Sequence, residues 1–466
     1  MRSLVRQFAV IVLALSLSAA TFMAPRADAQ APPVYPAAPA APGTPTVPAP
    51  ANVQIFTLAQ AVQTTITRNP QIVAAQQTLE AAQQSVLLAK AGYAPTVSLN
   101  GTGAFGTTNA PNTAVLANPS ATGTTTVAGN VTIFDNGRTA ALVASAEAAA
   151  ASAQAALRQT DQDLALQAAT QFFTVLGNEG VAQAQQQSLA QAQAQLDLVQ
   201  AQVRAGVAPQ ADVIQAQAQV AQAQVAVLNA NAQILTAKAN LASTMGIDTT
   251  APIDVSSPAP STPQVAVTAD QVIAAALQNR PEIAKANAAA QSAQAGLATA
   301  YVNAGPQVAV GVGAGYTPYS TDPVLNNTSS YGLTGTISLP LFDAGRGRDQ
   351  IAAAQASLKS AQASLQSQIL AIRQDAYTSY LSAVQAAANV TATQAAKAAA
   401  DQALSVAEGQ YRAGVGTIIA VIQAQTTATQ ADVNAASAQF SFESALVTLQ
   451  HAEGAPIVAG IGGGTP

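Results

Sequence analysis

Two periodicities alternate along the chain. Leucine and valine recur at spacings of three, four and seven (Leu189, Leu196, Val199, Val203) within a stretch that runs from Arg138 to Ala205 without a proline. That spacing predicts one face of a helix packed on neighbours. At ~1.5 Å per residue such a helix can extend for roughly 100 Å, with only Gly177 and Gly180 weakening it. The rest of its surface is alanine, which lets helix axes approach closely, and glutamine, which keeps a face wettable at little cost in helix propensity. A turn at Arg204-Ala205-Gly206-Val207-Ala208-Pro209 reverses the chain, and a second helix returns from Gln210.

Elsewhere the period becomes two. Val97, Leu99, Gly101, Gly103 and Phe105 alternate with Ser98, Asn100 and Thr102, and Val127, Gly129, Val131 and Ile133 alternate with Ala128, Asn130 and Thr132. These predict two antiparallel strands at 95–107 and 124–135 around a Gly/Thr/Asn/Pro loop. A second pair is predicted at 306–317 (Val308, Val310, Val312) and 329–342, where Leu333, Gly335, Ile337, Leu339 and Leu341 oppose Thr334, Thr336 and Ser338. One apolar and one polar face at this length is how a transmembrane β-barrel strand reads. Four strands do not close a barrel, because even the smallest use about eight. Several chains must therefore contribute.

The pattern occurs twice. Gln202-Val203-Arg204-Ala205-Gly206-Val207 matches Gln410-Tyr411-Arg412-Ala413-Gly414-Val415, and Phe134-Asp135-Asn136-Gly137-Arg138 matches Phe342-Asp343-Ala344-Gly345-Arg346, every pair 208 positions apart. Pro70 and Pro95 answer Pro281 and Pro306 at a separation of 211. The chain thus reads as a tandem duplication. The first copy spans 53–247, with helices at 58–68, 71–91, 138–205 and 210–246; the second spans 267–454, with helices at 270–279, 282–303, 346–413 and 417–453. Residues 248–266 link the copies, and 455–466 form a Gly-rich flexible tail.

Composition narrows the class. Charged residues are 8% and aromatics 4%, with no Cys and no Trp, so Ala-rich helix packing must supply most of the burial. Without cysteine there is no disulfide, no thiolate metal site and no N-terminal lipid-anchored Cys. Residues 1–29 carry a signal-peptide pattern: Arg2 and Arg6, an apolar run from Phe8 to Ala20, then Ala27-Asp28-Ala29. Its removal leaves 14 basic and 21 acidic groups, a net charge of −7 that argues against nucleic acid as a partner. Residues 30–52 are a Pro/Ala-rich tether. No other stretch shows the ~18–20 uninterrupted apolar residues of a spanning helix, so a membrane crossing would require a closed barrel.

Few residues suggest chemistry. Gly101, Gly103 and Gly106 fit a dinucleotide fingerprint by letters but open no helix, and small strand glycines account for them. His451 is the single histidine, so it reads as a helix-end polar residue and no metal or cofactor site is expected. Asp135 and Asp343 stand at the strand-to-helix switches, where a carboxylate can cap exposed N–H groups. Asp212 lies on the first turn of a returning helix and suits either the helix dipole or a pore-facing role. Nothing resembles a catalytic set, and no enzyme is expected.

Taken together, the signal, the tandem copies, the strand pairs, the paired long helices and the Arg-Ala-Gly-Val turns resemble the TolC family of bacterial outer-membrane efflux proteins over about residues 54–453. That resemblance implies an α+β membrane protein: a homotrimer with a 12-stranded transmembrane β-barrel, four strands per chain, continued by a long α-helical periplasmic barrel. It implies an efflux or type I secretion channel in outer-membrane lipid, working with a periplasmic adaptor protein and an inner-membrane transporter. Arg204, Gly206, Val207, Arg412, Gly414 and Val415 would mark the adaptor-docking tips. Asp212 and Tyr411 match two residues that hold the family's periplasmic aperture shut, whereas the position of the family's arginine is Gly416. Two lumen-ringing aspartates of some members are replaced by Ala420 and Gln423, which implies a constriction that is less acidic and less cation-selective. A periplasmic coiled-coil spacer is the alternative, disfavoured because the strands lack the charges of soluble edges.

Overall fold

The computed structural model describes residues 53–107, 119–257, 261–303, 305–317 and 328–457. The predicted leader, the tether and residues 458–466 of the tail lie outside them. Each copy opens with two short helices. Thr57 and Gln60 form a capping box at the start of α1 (Leu58–Arg68), and Asn69 caps α2 (Pro70–Lys90), whose first residue is a proline that needs no N–H there. Thr268 and Gln271 repeat the box for α5 (Ala269–Asn279), followed by α6 (Pro281–Val302).

Between these pairs and the turns run the rods. Helix α3 (Arg138–Arg204) and its counterpart α7 (Arg346–Arg412) each have 67 residues, and the returning helices α4 (Gln210–Thr244) and α8 (Ile418–Ala452) each have 35. Helix α3 packs on α2, α4, α6 and α8, and α7 packs on α5, α6 and α8. Buried alanines recur along these seams, among them Ala148, Ala155, Ala168, Ala223, Ala230 and Ala237. By length and composition α3 alone, among the described residues, holds an 18-residue window apolar enough for a membrane span, with mean hydropathy 1.3. Helix α3 reaches that value through its abundant alanine, with Ser145, Glu147, Ser152 and Gln154 interspersed, so it is not an uninterrupted apolar run.

Strands β2 (Thr96–Thr107), β3 (Pro119–Phe134), β5 (Gln307–Thr317) and β6 (Thr328–Ser338) form one antiparallel sheet in the order β2-β3-β5-β6. Strand β3 starts at Pro119, earlier than the alternation suggested, because it pairs with β2 out to Thr107. Strand β6 ends at Ser338 instead of continuing to 342. Pro340 has no N–H for the ladder, and Leu341 and Phe342 leave the sheet almost fully exposed. Strand β1 (Gln54–Phe56) pairs in parallel with β4 (Ile253–Val255) inside the linker, a pair that no periodicity announced. Three-residue strands are too short to register as a period. The main core collects around Phe172, Phe173, Val175, Leu241 and Met245, with Ile253 and Val255 of that small sheet on its edge.

Candidate functional site

The two rods begin and end with the same backbone devices. Gly137 and Gly345, at φ 90° and 89°, precede α3 and α7. Asp135 Oδ1 accepts from Gly137 N at 3.0 Å and Oδ2 from Thr139 N at 2.6 Å; Asp343 accepts from Gly345 N at 3.0 Å and Gly347 N at 2.7 Å. A hydrogen bond from the Thr139 side chain first, helped by these amides, holds the Asp135 carboxyl below its ordinary pKa; the Gly347 amide does the same for Asp343.

At the far end, Gly206 N donates to Val203 O and Val207 N to Gln202 O, both at 3.0 Å; Gly414 to Tyr411 and Val415 to Gln410 repeat this at the same distances. The paired bonds form a Schellman cap, whose left-handed position suits glycine. They leave Val207 and Val415 largely exposed at the tips. Arg204 Nε donates to Gln200 O at 3.2 Å, while Arg412 pairs with Glu408 at 2.9 Å.

Beside the tips the copies meet. Tyr411, near the end of α7, is buried with Val199, Val213, Ile418 and Val421, and its Oη donates to Asp212 Oδ2 at 3.1 Å. Burial first, then that hydrogen bond, pushes the phenol up to about 12, so Tyr411 remains a donor through the physiological range. Gly416 is closely packed: a Cβ there would lie 3.0 Å from Tyr411 N and 3.1 Å from the Gln410 carbonyl carbon. A side chain at Gly416 therefore requires the adjoining backbone to give by a few tenths of an ångström. Ala420 is exposed on the first turn of α8. Gln423 lines an open groove of ≈ 640 Å³ between α7 and α8 with Thr393, Ala400, Thr426 and Asn434. Asp212 and Tyr411 are thus in contact, whereas Ala420 and Gln423 make no contact with that pair through any hydrogen bond among the described residues.

At the opposite end the strand register separates two faces. Val97, Leu99, Val127, Val131, Val308, Val310, Val312, Leu333 and Ile337 share one side; Ser98, Asn100, Thr126, Asn130, Thr132, Thr334 and Thr336 share the other. Val97, Leu99, Leu333 and Ile337 are more than 70% exposed, an apolar surface that water does not favour. A bulge between Thr132 and Phe134 returns Phe134 to the Val308 side at the foot of β3.

Sequence reading missed the polar fasteners between helices. Gln425 Nε2 donates to Ser188 O at 3.2 Å, and Glu443, 2% exposed, accepts from Ser261 N and Oγ at 2.8 and 2.9 Å. His451 Nε2 lies 3.0 Å from Asp163, and Arg280 links His451 O to Glu282 and Asp375. Apart from Arg280–Glu282, none has a local sequence signal, because each partner is more than 90 positions away. Among the described residues no group of His, Asp or Glu is arranged to hold a metal ion.

The family model described as outer membrane efflux protein matches residues 61–247 and again 272–455. No curated protein matches the chain. Among solved structures, the outer membrane protein VceC from Vibrio cholerae is 20% identical, with a TM-score of 0.72 over 86% of this chain and 96% of that one. The Campylobacter jejuni CmeC outer membrane channel is 13% identical, with a TM-score of 0.74 over 85% of each chain. The open state of the Neisseria gonorrhoeae MtrE outer membrane channel is 18% identical, with a TM-score of 0.70 over 85% and 89%. These likenesses establish the fold.

Proposed function

The chain belongs to the outer membrane efflux protein family, and from that premise we propose that three copies form one conduit from the periplasm through the outer membrane. The observation that carries this reading is the four-stranded sheet, in which β2 and β6 each have a single hydrogen-bonded neighbour among the described residues. Pairing β6 of one copy with β2 of the next satisfies both edges and makes a closed 12-stranded wall, the form a sheet must take in lipid. The exposed apolar face then meets lipid and the polar face lines the lumen.

The rods continue the conduit into the periplasm. Residues Ile214, Val225, Leu228 and Leu235 on α4, with Leu370, Tyr377 and Leu381 on α7, are exposed in the single chain and supply apolar surface for neighbouring copies. The tips at Arg204–Val207 and Arg412–Val415 dock a periplasmic adaptor joined to an inner-membrane transporter, and residues 1–29 direct export as a cleaved signal. Asp212 and Tyr411 hold the aperture; Gly416, Ala420 and Gln423 leave it without the further locks and acidic rings of some relatives. Cargo moves without bond-making. A periplasmic spacer without channel activity finds no support in the family match.

Sucrose-gradient fractionation tests location, and planar-bilayer recording tests conduction. Recovery with outer membranes, as a detergent-dependent trimer that passes current, is the expected result. A soluble monomer in plain buffer would defeat the proposal.

A further inference from the structure

The lumen face of the sheet has a chemistry of its own. Its positions, read from the register, are every second residue of 96–102 on β2, 124–132 on β3, 307–315 on β5 and 330–338 on β6. Every one is neutral, and the four strands contain no Asp, Glu, Lys, Arg or His on either face. Several of the polar groups also lie down on the wall. Thr96 and Ser98 hydroxyls donate to the backbone oxygens of Asn130 and Ala128 at 3.4 Å, and Thr102 and Thr124 hydroxyls bond to each other. Asn130 Oδ1 and Ser330 Oγ cover Gly311 and Gly315, 2.7 and 2.9 Å from where a Cβ would stand.

A wall of neutral hydroxyls and amides gives a permeating ion neither a counter-charge nor a like charge, and the field at a pore wall comes mainly from fixed charges. Resting on the channel reading above, we propose that the membrane-spanning segment passes cargo without regard to the sign of its charge and sorts by cross-section. Asn130, which covers the gap at Gly311, is the position where an introduced charge changes that behaviour.

The test uses full-length protein in planar bilayers under a KCl gradient at low salt, where screening extends about 30 Å at 0.01 M. Asp212→Asn first removes the aperture carboxylate. Asn130→Asp and Asn130→Lys on that background should displace its reversal potential by similar amounts in opposite directions. Displacement by only one of the two Asn130 variants, or the failure of the two to diverge, overturns the proposal. Absence of any current from the unaltered protein defeats instead the channel reading on which it rests.

Discussion

Tyr411 donates to Asp212 at 3.1 Å, joining the last turn of one copy's rod to the first turn of the other copy's returning helix. Tyr411 is buried in a small apolar cluster with Val199, Val213, Ile418 and Val421, while Asp212 stays half-buried at its edge. If it restrains the aperture, Tyr411→Phe and Asp212→Ala should each raise single-channel conductance in planar bilayers. Unchanged conductance in both would place the bond away from the conduction path.

The same tyrosine sets an alkaline limit. Its phenol is raised to about 12 from an ordinary value of 10.0, so the folded state favours the neutral form. The contribution is fully present below pH ~10 and is lost as pH climbs toward ~12. Conductance should therefore rise across that window, and Tyr411→Phe should abolish the rise. Ultraviolet absorbance should show one tyrosine per chain titrating later than the exposed ones.

Asp135 acts at the opposite pH extreme. Its carboxyl is held low by Thr139 and backbone amides, so its stabilising effect is present above the unfolded carboxylate pKa and fades as pH falls through the lowered value. Asp135→Ala should cost about 0.5–2 kcal/mol, the usual loss of a helix-capping side chain. Thermal unfolding of the variant should also lose part of the acid sensitivity seen in the parent.

Helix α3 carries a notch for Phe440. A Cβ on Gly180 would stand 3.3 Å from both Ala436 Cβ and Phe440 Cε2. Gly180→Val should destabilise the α3–α8 seam by about 1–3 kcal/mol through overpacking. Adding Phe440→Ala should recover part of that loss, a non-additivity measurable in a double-mutant cycle. Additive losses would mean that the two residues are not coupled.

Glu443 holds the inter-repeat linker through Ser261. Glu443→Ala leaves two donors without an acceptor, at about 1–3 kcal/mol for buried groups. Limited proteolysis should then cut within residues 248–266 faster than in the parent, with Glu443→Gln intermediate. Equal rates would show that other contacts secure the linker.

The duplication and its element order were legible in the sequence because they rest on periodicities that repeat at fixed offsets: 3.6 for rods, two for strands, 208 between matching turns. Fold class followed, since a polar face opposite an apolar one in four strands has few stable solutions. The end of β6 at Ser338 and the β1–β4 pair were not legible, as both depend on which backbone groups find partners. For the same reason the sequence placed Asp212 and Tyr411 beside the turns but paired them only by resemblance, while their contact, like those of Glu443 with Ser261 and His451 with Asp163, exists only once segments 199, 182 and 288 positions apart are laid side by side. Local pattern fixes what a segment becomes, because its period is written in neighbouring residues; which polar atoms meet is decided by packing, which no neighbouring residue records.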